Sequence, residues 1–281
     1  MSIELTSNQY GKARVRLLRV ARRASRHDVI ECTLHIRFRG DFDDTHIAGD
    51  NRNVLPTDTM KNTVYALARD QAPAEIEEFS LRLVRHFLDG NPKVREVAVD
   101  AVENPWTRIS DTAFERRGAG KRLAWISGSR TGVTVEAGLD DLTLLKTTGS
   151  AFAGFRRDDY TTLPETVDRL LATTVQARWK YSSAGVAYGE IFGRVRERIV
   201  RTFAAHDSLS VQHTGYEIGR AVLENEEAID QISLILPNRH CLLVDLAPFG
   251  RDNPNEVFLP IDEPHGQIEV HLSRGDLSPS C

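Results

Sequence analysis

The sequence has few of the features that mark secreted, membrane-spanning or disulfide-stabilised proteins. Its 281 residues include three cysteines, Cys32, Cys241 and Cys281, an odd number too widely spaced for a disulfide framework or a Cys-x-x-Cys site. It has no apolar N-terminal leader and no apolar run of about 18 residues, so neither secretion nor a membrane span is predicted. The ending Ser278-Pro279-Ser280-Cys281 is not a peroxisomal address. We expect a protein of the reducing cytoplasm.

Signals for common ligands are also missing. No glycine-rich dinucleotide fingerprint follows a predicted strand, and the nine histidines show no metal-ligand spacing with cysteines or carboxylates. The net charge is −4, although six arginines crowd residues 14–26. Without a basic domain or interleaved aromatics, this run is typical of a solvated strand face. The sequence therefore predicts no metal, no dinucleotide and no nucleic acid.

The residues that are present predict strands and helices in a clear order. With 41% apolar and 27% charged residues, the composition is that of a soluble globular protein with one large or two ordinary domains. Period-two alternation over 12–17 and 30–38 predicts an antiparallel hairpin with Cys32 in its buried face. A polar loop at 41–53 precedes helices near 60–69 and 74–89. Strands are predicted at 94–102, 122–128 and 133–138.

The second half repeats this order of elements. Strands near 141–147 and 174–182 precede helices near 186–205 and 213–225, and a hairpin at 230–246 has Pro237 and Asn238 near its turn. The repetition predicts two tandem domains, residues 1–138 and 139–281. No linker separates them, so we expect one continuous sheet. About eight strands with one polar face predict that subunits associate to complete a barrel.

Clusters of polar residues stand at the ends of several of these elements. Thr57, Asp58 and Thr59 follow a proline at a helix start, with more hydroxyl and carboxylate groups than a cap needs. The surplus predicts a helix N-terminus able to meet an anion. Each of the other clusters has an ordinary structural interpretation when taken alone, and their combination carries more information.

Six motifs carry that combination: Asn8-Gln9-Tyr10-Gly11-Lys12, Thr57-Asp58-Thr59 with Lys61-Asn62-Thr63, Leu145-Lys146-Thr147-Thr148-Gly149-Ser150, Arg157-Asp158-Asp159-Tyr160-Thr161-Thr162-Leu163, Ser210-Val211-Gln212 and Leu236-Pro237-Asn238-Arg239-His240. In this order they resemble the urate oxidase (uricase) family, and a seventh segment, 252–258, resembles its bacterial branch. The resemblance runs from about residue 8 to residue 273.

The resemblance implies an α+β tunnelling fold (T-fold). In such a fold each chain has two tandem antiparallel-sheet domains with helices on one face, and a barrel is completed by oligomerisation. It also implies a homotetramer around a solvent-filled tunnel. The expected activity is oxidation of urate by O₂ and water to 5-hydroxyisourate and hydrogen peroxide, without metal or organic cofactor.

The same resemblance implies a set of substrate-binding residues. Arg169 would hold one edge of the urate anion bidentately, and the amide of Gln212 would face the opposite edge. The ring of Phe152 would stack on the purine face. Main-chain N–H groups of Val211 and Asp58 would add contacts.

A second implied set would carry the chemistry. Lys12, Thr57 and His240 match the positions of the family's proton relay. Thr57 would also touch substrate and would come from a neighbouring subunit, which places the site at an interface. Asn238 would hold O₂, then peroxide or water, above the ring.

Two alternatives stay open at this point. One is another tunnelling-fold enzyme acting on a pterin or related purine, which typically needs a zinc-binding His/Cys set. The other is a purine-binding module without turnover, which would bind urate tightly and form no peroxide.

Overall fold

The computed structural model describes residues 3–116 and 120–275. The chain divides into two compact units, one comprising Met1–Gly138 with Lys180–Phe192 and the other Leu139–Trp179 with Gly193–Cys281. Cys281, expected to be free, lies outside the described residues.

The first unit is built on a sheet whose strands are hydrogen-bonded in the order β1-β2-β3-β6-β7. The pairs β1/β2, β2/β3 and β3/β6 are antiparallel. β4 and β5 form a separate small pair. The elements are β1 (Tyr10–Arg22), β2 (His27–Gly40), α1 (Asp43–Ile47), α2 (Thr57–Asp70), α3 (Ile76–Gly90), β3 (Val94–Glu103), β4 (Thr107–Arg108), β5 (Phe114–Glu115), β6 (Lys121–Ser129) and the first part of β7 (Val133–Lys146).

The second unit continues from β7 with strands in the order β7-β8-β9-β10. The long pair β9/β10 is antiparallel. The elements are β8 (Leu171–Tyr181), α4 (Tyr188–Ala205), which enters the unit at Gly193, α5 (Val211–Asn225), β9 (Ile229–Leu243), a 3₁₀ turn (Ala247–Phe249) and β10 (Phe258–Ser273).

Alternating strands and amphipathic helices produce the buried core of each unit. On β2, Leu34, Ile36 and Phe38 are fully buried, and so is Cys32, as predicted. Burial raises the pKa of the Cys32 thiol to about 12, so this cysteine behaves as an apolar core residue. In the second unit, α5 lies so close to the sheet that a Cβ added at Gly215 would meet Val270 at 2.8 Å.

The helices were predicted more accurately than the strands. The segments 133–138 and 141–147, predicted as two strands, form the single strand β7, and the loop 41–53 contains α1. The predicted hairpin at 230–246 is wrong because β9 runs straight through it and pairs with β10, a strand that was not predicted.

Pro237 and Asn238 misled the prediction because they resemble turn residues. The register of β9 with β10 shifts between Ile261, which pairs with His240, and Gly266, which pairs with Asn238. The extra residues lie in β10, next to the pairing position of Pro237 on β9. Prolines inside sheets are found at such irregular positions. Asn238 and His240 are therefore fixed on a strand and not on a mobile turn.

The start of β1 is shaped by a close backbone approach. A Cβ added at Gly11 would lie 1.9 Å from the carbonyl oxygen of Ile36. A bulge follows between Lys12 and Val15. The bulge interrupts the predicted alternation, so that Ala13 is exposed.

The hydroxyl of Tyr10 connects this strand to the segment before α2. It accepts the N–H of Leu55 at 3.0 Å, and its ring packs edge-on against Phe42, with centroids 4.8 Å apart. The position of Lys12 is thereby coupled to the start of α2. None of the described helices is long and apolar enough to cross a membrane.

We predict that Gly11→Ala lowers the free energy of unfolding by about 1–3 kcal/mol, because the new methyl group must displace the β2 backbone. The matched control is Gly132→Ala in the β6–β7 turn, where nothing lies within 4 Å of an added Cβ. Chemical denaturation at equal protein concentration measures both. Equal midpoints for the two variants would contradict the close-approach argument.

Candidate functional site

A cavity of about 220 Å³ in the second unit collects three of the residues singled out by sequence. Arg169, Asn238 and His240 line it together with Thr147, Cys241 and Asn255. Arg169 comes from the segment just before β8, and the other two predicted residues come from the C-terminal half of β9. The cavity is large enough for a small planar heterocycle.

Arg169 is a cation without an ion-pair partner among the residues that the structure describes. Its guanidinium carbon lies 5.3 Å from the centroid of the Phe152 ring, and its Nε is buried with no hydrogen-bond partner among the described residues. Burial lowers the pKa of Arg169, yet a guanidinium stays charged at neutral pH. A half-buried fork of this kind can receive a planar anion bidentately.

The neighbouring carboxylate of Asp168 does not neutralise Arg169, because it is occupied elsewhere. Its Oδ2 accepts the hydroxyl of Thr148 and its Oδ1 the N–H of Gly149, both at 2.8 Å. The Thr148 hydrogen bond is the main cause of the lowered pKa of Asp168. Asp168 therefore anchors the 147–150 segment beside Arg169.

Backbone hydrogen bonds hold three segments of this unit together. The N–H of Arg169 donates to the carbonyl of Ser150 at 2.8 Å, and Phe152 and Thr166 exchange bonds of 2.8 and 3.0 Å. On the other side, Ala151 donates to Ser208 at 2.7 Å, and Ser208 donates to Gly149 at 2.9 Å. This ladder, formed by 149–152, 166–169 and 208, fixes the positions of Phe152 and Arg169.

The same ladder leads directly into α5. Ser210 is its N-cap and accepts the N–H of His213 at 3.1 Å, so the helix begins two residues earlier than predicted. Val211 is buried, whereas Gln212 is exposed. Both residues lie in the first turn of α5 and outside the lining of the cavity.

The ring of Phe152 already has an aromatic neighbour. Phe155 stacks on it with centroids 4.9 Å apart and an interplanar angle of 14°. The guanidinium of Arg157 lies over Phe155 at 5.6 Å. Sequence reasoning gave Phe155 no role, although its place in the Phe152-Ala153-Gly154-Phe155 segment was a usable signal.

Lys12, Thr57 and Asp58 belong to the first unit. α2 begins at Thr57, and Pro56 occupies the N-cap position without a side-chain hydrogen bond. The first intrahelical bond joins the N–H of Met60 to the carbonyl of Pro56 at 3.3 Å. The N–H groups before it lie at the positive end of the helix.

The carboxylate of Asp58 accepts hydrogen bonds from two nearby side chains. It accepts Nζ of Lys61 at 2.5 Å and Nδ2 of Asn62 at 3.0 Å. The hydrogen bond from Lys61 is the largest cause of the lowered pKa of Asp58, and the charge of Lys12 is a smaller one. Lys12 therefore lies near the start of α2.

The predicted site residues thus form two sets. Lys12, Thr57 and Asp58 make up the first, and the other six positions lie in the second unit. Within 3–116 and 120–275, no three His, Cys, Asp or Glu side chains are grouped so that they could hold a metal ion.

Comparison with known proteins identifies the family. The sequence model of the family described as Uricase matches residues 8–127 and 135–269. The chain belongs to the uricase family. It is 48% identical to the uricase of Arthrobacter globiformis over 274 residues, which cover 97% of this chain and 90% of that protein. It is 38% identical to the uricase of Dictyostelium discoideum, over 96% and 97% of the two chains.

Solved structures give the same fold. The crystal structure of Arthrobacter globiformis uricase superposes with a TM-score of 0.97 at 46% identity, covering 100% of this chain and 98% of that one. A Bacillus sp. TB-90 urate oxidase structure has a TM-score of 0.82 at 23% identity, a likeness of fold alone. The expected α+β tunnelling fold is thereby confirmed, whereas the assignment of roles to single residues stays a prediction.

We predict that Asp168→Ala exposes the 147–150 segment to exchange, because the N–H of Gly149 loses its acceptor. Hydrogen–deuterium exchange of peptides that cover this segment should be faster by at least about threefold. Asp159→Ala, a change at another exposed aspartate nearby, serves as the control and should leave the rate unchanged. Equal rates in all three proteins would remove Asp168 from its anchoring role.

Proposed function

We propose that the chain is a urate oxidase that converts urate, O₂ and water to 5-hydroxyisourate and hydrogen peroxide without metal or organic cofactor, in purine breakdown. The observation that carries this function is Arg169, whose half-buried guanidinium has an Nε without a hydrogen-bond partner among the described residues and lies in one cavity with Asn238 and His240. Membership of the uricase family supports the reaction.

The substrate-binding roles follow from the chemistry of urate, a flat and electron-rich anion. Arg169 holds one edge through two parallel N–H···O or N–H···N bonds, and Gln212 offers a donor and an acceptor to the opposite edge. The ring of Phe152 stacks on the purine face. The N–H groups of Val211 and Asp58 complete the contacts, each at the start of a helix.

The chemical step requires a further proton to leave urate, since the more negative species gives electrons to O₂ more readily. Lys12 is the base, the hydroxyl of Thr57 passes this proton on, and His240 shuttles it through water. Asn238 holds O₂ above the ring and afterwards the attacking water. The two electrons and two protons lost by urate and water reduce O₂ to hydrogen peroxide.

The two sets of residues come from different units, so we propose that neighbouring subunits complete each site. Thr57 and Lys12 of one subunit would meet Arg169 and His240 of another. The oligomer is a homotetramer, and residues 1–138 and 139–281 are its two T-fold domains. We place the enzyme in the cytoplasm.

The direct test of this function is aerobic incubation with urate after exhaustive chelation. We expect urate loss and peroxide release in equal amounts, and the same rate before and after chelation. Urate binding without peroxide would instead indicate a purine-binding module. Loss of activity on chelation with recovery on adding zinc would contradict the cofactor-free reaction.

We predict that Arg169→Ala weakens anaerobic urate binding by about 10- to 150-fold, the range for loss of hydrogen bonds to a charged group. Arg239→Ala is the matched control because Arg239 lines the same cavity but is paired with Asp262 at 2.9 Å. Its binding should change by less than about threefold. Calorimetry under argon measures both. Equal losses in the two variants would show that the cavity needs only general positive charge.

We predict that Lys12→Met keeps urate affinity within about threefold and lowers kcat by about 10²- to 10⁴-fold, the usual contribution of a positioned proton acceptor. Lys93→Met, which removes an exposed lysine of the same unit, should leave kcat unchanged. Steady-state oxygen consumption gives kcat, and anaerobic titration gives affinity. A normal kcat in Lys12→Met would exclude the lysine from the relay.

A further inference from the structure

Two histidines near the start of α5 have buried ring nitrogens without partners. Nε2 of His206 and Nδ1 of His213 make no hydrogen bond in the described part of the chain. The rings meet edge to face, with centroids 4.6 Å apart. Nearly all buried polar atoms in native proteins are paired, so two orphan nitrogens on adjacent rings need an explanation, and the proposed reaction uses neither.

Several charged groups lie near this pair. Lys146, at the end of β7, donates to the carbonyl oxygen of His206. Asp207 follows in the α4–α5 connection, and Glu217 of α5 lies 3.9 Å from Nε2 of His213. Glu217 is itself paired with Arg220 at 2.5 Å, which weakens its attraction for a histidine proton.

Burial is the main effect on His206. It lowers the pKa of this side chain, and the electrostatic effects of His213 and Lys146 act in the same direction, against those of Glu217 and Asp207. The folded protein therefore favours the neutral ring. This stabilisation is complete above pH 6.5 and is lost as the pH falls through the lowered pKa, since the unfolded chain binds the proton first.

The pair sits between the ladder that holds Arg169 and the first turn of α5, which carries Val211 and Gln212. Two residues after His206, Ser208 bonds to Gly149 and Ala151 of the ladder that holds Arg169. His213 follows Gln212 directly, and its N–H donates to the Ser210 cap. A proton on His206 would add a positive charge next to Lys146 and the His213 ring and would disturb both supports.

We propose that His206 and His213 are positioning residues that hold the first turn of α5 in its binding geometry only while His206 is neutral. Protonation of His206 beside the ring of His213 displaces Val211 and Gln212 and lowers the affinity for urate. The proposal rests on the proposed function, since its ligand is urate.

The test is anaerobic urate titration of the full-length protein between pH 8.0 and 5.5. Wild type, His206→Gln and His213→Asn are compared, because neutral amides retain polar atoms but do not titrate in this range. The matched control is His86→Gln, a change at an exposed histidine of the first unit. Urate ionises alike in every sample, so a difference between proteins belongs to the protein.

We expect wild type and His86→Gln to lose affinity together on acidification, by up to about tenfold per pH unit for one linked proton. The ratio of Kd at pH 5.5 to Kd at pH 8.0 should be at least about fivefold smaller in His206→Gln. His213→Asn provides the same test should the first variant fail to fold.

Superimposable pH profiles in all four proteins would overturn the proposal while leaving urate oxidation intact. Absence of urate binding by wild type at pH 8.0 would instead overturn the proposed function. Stoichiometric zinc uptake by wild type that is lost in His206→Gln would also overturn the proposal, because the orphan nitrogens would then be ligands.

Discussion

The site in the second unit depends on one half-buried arginine, Arg169, whose Nε has no hydrogen-bond partner among the described residues. A desolvated, unpaired guanidinium is unfavourable in the free protein, and the surroundings of Arg169 maintain it. Asp168 is turned toward Thr148 and Gly149, and Ser150 fixes the backbone of the arginine. Binding of an anion offsets the unfavourable desolvation, so urate should stabilise the fold as well as occupy the site.

In the first unit, the corresponding feature is the position of Lys12 near the N-terminus of α2. Gly11 permits β1 and β2 to approach closely, the following bulge turns the strand, and the Tyr10 hydroxyl fixes the approach to α2. Pro56 leaves the first turn of α2 without a side-chain cap. This arrangement leaves the N–H groups of the first turn and the Thr57 hydroxyl available to bind a ligand.

Much of this fold could be predicted from periodicity, and the failures have physical causes. Residues 76–90 and 188–205 repeat apolar positions at helical spacing, so their helices were predicted closely. Pro237 and Asn238 have turn preferences that the β9/β10 pairing overrides. Such long-range pairing is not encoded locally.

The site residues could be predicted only where they belong to motifs that resemble those of the uricase family. Nothing in the sequence showed that Asp168 would bond to Thr148, or that Phe155 would stack on Phe152. These contacts depend on the ladder between segments far apart in sequence. The histidine pair was equally hidden, because it arises from the packing of the α4–α5 junction.

In the proposed enzyme, each complete site combines Lys12 of one subunit with Arg169 of another. The most direct measurement is the urate oxidase activity of mixed oligomers of Lys12→Met and Arg169→Ala, co-expressed with different tags and purified through both. Random mixing places both intact residues in about a quarter of the sites of such shared assemblies. Recovery of about that fraction of wild-type activity is the predicted result. Mixed oligomers as inactive as either variant alone would show that each site is built from a single chain.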